Sequence, residues 1–135
     1  MQTSGLQRQI LIAGAVSTFV AVALAIAQES AMSVTDRDAA RLYVFAEFHA
    51  QPGHGPDVER ALRKVIEPTR AEPGCLAIHA FRSVRDDRLF YIHSTWRDEA
   101  AFDRHAELPH TVAFVDEVSA LIDHPFQTVR TELLG

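Results

Sequence analysis

An α+β domain of order β-α-β-β-α-β is predicted by three features of the sequence. The runs "RLYVFAEFH", "CLAIHAFRSV" and "RLFYIHSTW" have the composition and alternation of strands. Two stretches, one after the first run and one after the third, carry apolar residues at helical spacing. A short polar turn, "RDD" at 85–87, joins the second and third runs as a hairpin. With a last strand near the C-terminus, this is the split βαβ of a ferredoxin-like sheet with both helices on one face.

Each element has its own justification. In the first strand Leu42, Val44, Ala46 and Phe48 alternate with Tyr43, Phe45, Glu47 and His49. Both sides are mostly apolar, as in a strand covered on both faces. "QPGHGP" breaks it, and Pro56 suits the first turn of a helix. Val58, Ala61, Leu62, Val65 and Ile66 then form one helical face, with Glu59, Arg60, Arg63 and Lys64 turned away. Pro68 is expected to kink or end that helix, and "EPG" at 72–74 closes it. Asp98 is a candidate N-cap for a second helix, on which Phe102, His105, Ala106 and Pro109 share a side. The pattern resumes with Phe114, Val115, Val118, Leu121 and Ile122, and "FQTVRTELL" supplies the last strand.

The domain so defined spans 41–134, after a short polar linker at 32–40. Residues 1–31 have another character. From Ile10 to Ala27 the chain is apolar and uncharged, preceded by Arg8 and ending in Ala25-Ile26-Ala27. That is the layout of a secretory signal cleaved before Gln28, which would place the domain in the periplasm or outside the cell. The run also reaches the lower length of a membrane span, so an uncleaved anchor is a second reading. A cytoplasmic protein whose translation begins at Met32 is a third.

Two helices cover one face of a four-stranded sheet, yet the strands are apolar on both. The open face is therefore expected to meet a second copy, sheet against sheet, as a homodimeric α/β barrel. With 135 residues, net charge −5 and scattered basic residues, the chain is one globular domain without the cationic stripe that nucleic acid requires. The single Cys75 excludes an internal disulfide and reads as a small buried strand residue.

Chemistry concentrates in "IHSTWRDEAAFDRHAELPHTVAF", with the only tryptophan and three of the seven histidines. His105 and His110 are candidate bases, because imidazole titrates near neutral pH. Trp96 is placed to stack on an aromatic ring and offer its indole N–H to an oxygen atom. Phe90, Phe102 and Phe114 are candidates for a dry wall, with Ser94 beside the tryptophan. Each has a plainer reading: Trp96 as core, and the histidines as donors to backbone carbonyls at a helix break. His79 and His93 sit on neighbouring strands. They join the pocket or the open face according to strand parity, which one residue of register reverses. No nucleotide-binding or HExxH motif is present, and His105 and His110 are five apart rather than the three or four that align metal ligands on a helix.

Taken together, "QPGHGPDVERAL", "RAEPGCLAIHAFRS" and "FYIHSTWRDEAAFDRHAELPHTVAF" resemble the antibiotic biosynthesis monooxygenase family, quinol monooxygenases included. The most specific pieces are Glu72-Pro73-Gly74-Cys75 and the spacing Trp96, His105, His110, Phe114. The resemblance implies a ferredoxin-like dimer with a pocket between sheet and helices. It also implies oxidation of quinols, phenols or anthrones by molecular oxygen without metal, flavin or haem. On that reading His105 and His110 are catalytic, and Trp96, Phe90, Ser94, Phe102, Phe114, His93 and His79 bind substrate. The chain departs from the family by having no asparagine, and by Ser94 where many quinol-oxidising relatives carry a glutamate. These departures keep open a dimeric module that binds a small molecule without oxidising it. They count most against haem degradation, which wants an Asn–Trp–His set, and a haem-binding relative stands third.

Overall fold

The computed structural model describes residue 37 and residues 39–135. The expectations for the apolar run at 10–27, for cleavage before Gln28 and for a start at Met32 lie outside the described residues. Among those described, no helix is long and apolar enough to cross a membrane.

The elements run β1 (Leu42–His49), α1 (Gly55–Arg70), β2 (Cys75–Arg82), β3 (Leu89–Trp96), α2 (Glu99–Glu107), α3 (Pro109–Ser119) and β4 (Gln127–Thr131). The sheet order is β2-β3-β1-β4, with all three pairings antiparallel. This is the predicted ferredoxin-like topology. Register puts Leu42 opposite Trp96, Val44 opposite Ser94 and Phe48 opposite Phe90, so these side chains share the face beneath the helices. The alternate residues form the open face, where Val129, Phe45, His93 and His79 stand in a row across the four strands.

α1 enters on Pro56, whose fixed φ suits a helix start. It buries Val58, Ala61, Leu62, Val65 and Ile66, as the periodicity requires. Pro68 does not end it. The helix runs on to Arg70, and buried Thr69 donates its hydroxyl to the Val65 carbonyl at 2.7 Å. Phe48, Val58, Leu62, Ile92, Phe114 and Val118 make the main core between sheet, α1 and α3.

The expected second helix is two helices. A residue before proline is pushed out of the helical region, and Leu108 is extended at φ −72° and ψ 146°. Pro109 then opens α3, where its missing N–H is no loss. Asp98 caps α2 by accepting the Ala101 N–H at 2.8 Å, as predicted. α2 is shallowly seated, with Ala101 its one buried residue.

Gly74 explains how the turn into β2 reaches α2. A Cβ on Gly74 would lie 2.4 Å from the Ala101 Cβ, so only glycine permits that approach. The Gly74 carbonyl also accepts the Arg97 N–H at 2.9 Å, tying the turn to the end of β3. Glu72 is thereby held beside the last turn of α2.

Candidate active site

A cavity of about 280 Å³ lies between the helix side of the sheet and α1, α2 and α3. Its walls are mainly apolar, with Phe48, Ile92, Phe102, Phe114 and Phe126 among them. The cavity also gathers Thr69, Ser94 and Thr111, which are the buried polar residues among those described. A concave, mainly apolar pocket with a few convergent polar groups is the usual form of a small-molecule site. The cavity's volume exceeds the roughly 150 Å³ of a closed void known to hold benzene.

His105 lines this cavity, and its environment is specific. Its Nδ1 lies 2.7 Å from Glu72 Oε2 and 3.1 Å from Thr111 Oγ1. A carboxylate only accepts, so Nδ1 carries the proton and Nε2 keeps a lone pair. Among the described residues nothing else bonds to Nε2. Burial pushes His105 below the ordinary imidazole pKa, against the raising effect of Glu72. The result is a neutral, oriented imidazole at the edge of a mainly apolar cavity.

His110 bonds the same Glu72 oxygen through Nε2 at 2.8 Å. The break at Leu108 makes this possible, because it lets two imidazoles five residues apart converge on one carboxylate. The spacing argument against a shared ligand set assumed one continuous helix and does not apply. Glu72, His105 and His110 have donor atoms within 4.8 Å of one another, as do His49, Asp123 and His124, so both groups have the composition of a metal site.

Behind the cavity, Trp96 is 0% exposed. Its ring stands edge-on to Phe102 at 5.6 Å and 4.7 Å from His105. The indole N–H donates to Ser94 Oγ at 2.9 Å. Ser94 lines the cavity, and with its oxygen already accepting, its own O–H is left to donate there. At the rim Arg130 lies 5.0 Å over the Phe102 ring, with its guanidinium 2.7 Å from both Glu99 and Asp103.

Comparison with known proteins identifies the family. Residues 41–117 match the model of the antibiotic biosynthesis monooxygenase family. The chain belongs to that family. It is 34% identical over 71 residues to the Bacillus subtilis protein named "Putative monooxygenase YcnE", covering 53% of this chain and 75% of that one. It is 35% identical over 60 residues to the uncharacterised protein sll1783 of Synechocystis, covering 44% of this chain and only 41% of that relative's length. The crystal structure of PA3566 from Pseudomonas aeruginosa superposes with a TM-score of 0.67 at 34% identity, over 73% of this chain and 98% of that one.

For this member of the monooxygenase family, the expected site residues separate into three groups. His105, Ser94, Phe102 and Phe114 line the cavity together. His110 and Trp96 stand behind it. Trp96 cannot offer its N–H to a ligand oxygen, because Ser94 accepts it and the ring is fully covered. The third group lies elsewhere. His79 pairs with His93 on the open face of the sheet, so strand parity removes both from the cavity. Phe90 is core beneath α1 and borders a separate hollow with Leu62, Glu59 and Arg82. Cys75 is half-buried rather than buried, and burial raises its thiol pKa.

Glu72, Thr69, Thr111 and Arg130 were missed as site residues. Glu72 carried one legible signal, an acid ahead of a Pro-Gly turn in a motif already singled out. The threonines carried none, being polar residues at otherwise ordinary helical positions.

Proposed function

We propose that this protein is a cofactor-independent monooxygenase of a small aromatic alcohol of the quinol, phenol or anthrone class. One observation carries the reading: the Glu72-oriented imidazole of His105 faces an apolar cavity. Family membership and the relatives' names support the reaction class.

His105 Nε2 takes the acidic proton of the substrate, and Glu72 and Thr111 hold the ring as it becomes imidazolium. The electron-rich anion then reduces oxygen directly, so the electrons come from the substrate. For an anthrone-like ring, oxygen adds to the CH₂ carbon as a hydroperoxide. The O–O bond breaks, one oxygen stays as the carbonyl, and the other leaves as water with the two hydrogens. The Ser94 O–H stabilises the developing oxyanion, and the phenylalanine walls exclude water.

Incubating the protein with quinols, phenols and anthrones under air, while recording oxygen uptake and visible spectra, tests this. Stoichiometric uptake with formation of the oxidised ring is expected. Tight binding without uptake favours the second reading, a non-catalytic module using the same cavity, which the absence of asparagine and of a glutamate at Ser94 supports. A Soret band on adding haem favours a haem-binding relative.

The open face is read as a homodimer interface. Phe45 and Phe81 are each 50% exposed and Val129 54%, an apolar surface that a second sheet would cover. Residues 1–31 are read as an export signal or anchor on their composition alone.

A further inference from the structure

A second cluster lies at the end of β1, where the chain that follows α3 pairs with it. His49 Nδ1 is 2.5 Å from Asp123 Oδ2, and His124 Nδ1 bonds the other oxygen of that carboxylate. On the far edge of its ring, His49 Nε2 is 3.1 Å from Asp86 Oδ2. We propose that His49, Asp123 and His124 bind a first-row divalent transition metal of the zinc class, with Asp86 orienting His49 from behind.

The donor set decides the class of ion. Two imidazoles and one carboxylate suit zinc and its transition-metal neighbours, whereas calcium and magnesium take oxygen shells. The three donors lie within 4.8 Å of one another. A tetrahedral ion about 2.0–2.2 Å from each needs them roughly 3–3.5 Å apart. Two of the contacts, His49 to Asp123 at 2.5 Å and His124 to Asp123, are shorter than this. The ion therefore enters by displacing the ring protons and spreading these side chains, with water in the remaining position.

The role of Asp86 is the stronger argument. A metal-bound histidine almost always donates its other ring N–H to a carboxylate or carbonyl, which fixes the tautomer. Asp86 does this for His49 through Nε2; Nδ1 donates to Asp123 while no ion is present, and a bound ion would take the place of that proton. Neither histidine of the Glu72 cluster has such an outer carboxylate among the described residues. There the one carboxylate is shared by both rings.

Backbone bonds hold the three segments in place. The Asp123 N–H donates to the His49 carbonyl at 2.9 Å, beside the bridge between Ala50 and Ile122. Ala50 N–H donates to Arg88 at 2.8 Å, which anchors the β2–β3 loop to the end of β1. Asp86 is fixed in that loop by its N–H to Ser83 Oγ and by Arg88 N–H to its Oδ1. Its Oδ2 is thereby left for His49. His49, Asp123 and Asp86 thus stand on pinned backbone, so binding an ion asks for side-chain movement only.

The test uses the full-length chain, stripped with chelator and titrated with zinc(II) chloride by calorimetry near neutral pH, with thermal melting alongside. One zinc per chain and a raised melting temperature are expected. Asp123→Asn and His124→Ala should abolish both effects, and Asp86→Asn should weaken binding roughly 10–100-fold without unfolding the protein. Glu72→Gln should leave the titration unchanged. No binding by the unmodified chain, binding that survives both Asp123→Asn and His124→Ala, or binding lost in Glu72→Gln would each overturn the proposal.

Discussion

Glu72 and His105 meet at 2.7 Å across 33 residues of chain, joining the turn before β2 to the last turn of α2. Burial lowers the His105 pKa, and both the hydrogen bond and the charge of Glu72 oppose that shift. Glu72→Gln should therefore move the His105 titration midpoint further down, as read by NMR of the imidazole. The sign for stability follows from the lowered value. An unfolded histidine takes up a proton near pH 6.5, whereas the folded ring resists until lower pH. The contribution of His105 is intact above about 6.5 and is lost as pH falls toward the folded midpoint. A midpoint unchanged in Glu72→Gln would rule out the coupling.

His105→Ala should reduce turnover roughly 100-fold or more, as losing a general base does. His110→Ala should cost less, since it removes a second donor to Glu72 from outside the cavity. The comparison needs a substrate oxidised by the unmodified protein. Equal losses in the two variants would mean that the histidines act as a unit.

Gly74→Ala forces a methyl to within 2.4 Å of the Ala101 Cβ. Overpacking of this kind costs about 1–3 kcal/mol, measurable as a lower denaturant midpoint. It should also reduce turnover, because the displaced turn carries Glu72. A variant as stable as the parent would show that α2 simply lifts away.

Ser94→Ala leaves the buried indole N–H of Trp96 without its acceptor. The expected destabilisation is about 1–3 kcal/mol in chemical denaturation. Trp96→Phe should also destabilise through lost packing, and the freed Ser94 oxygen should loosen the cavity wall. If Ser94→Ala melts like the parent, water reaches the indole.

Phe45→Asp and Phe81→Asp place charge on the open face of the sheet. Each should shift sedimentation from dimer to monomer if that face is the interface. A parent that sediments as a monomer at micromolar concentration would remove the dimer.

Much of the fold was legible because alternation and helical spacing are local. The grouping of Leu42, Val44, Ala46 and Phe48 on one face followed from β1 alone, but not which face meets the helices, since both are mostly apolar. Strand parity further along did not: one residue of register decides whether His79 and His93 meet a ligand or the open face. Phe90 and Trp96 were assigned to the correct side of the sheet, but depth separates a core ring from a lining one, and depth is a property of packing. Glu72 belongs to the site through a glycine contact and a proline break that act together in three dimensions. Each was visible as a punctuation mark in the chain, and their convergence was not.

The shallow seat of α2 bears on how a molecule enters and leaves the cavity. That helix buries Ala101 alone and is strapped to β4 by Arg130 through Glu99 and Asp103. Exposed pairs of this kind contribute about 0.2–1 kcal/mol each and weaken with salt. α2 thus has the least buried seat of the three helices that wall the cavity, while α1 and α3 pack on the main core. Raising ionic strength should weaken this strap and hasten both arrival and departure of an aromatic molecule in the cavity, with the Glu72–His105 bond still tying α2 to the turn before β2.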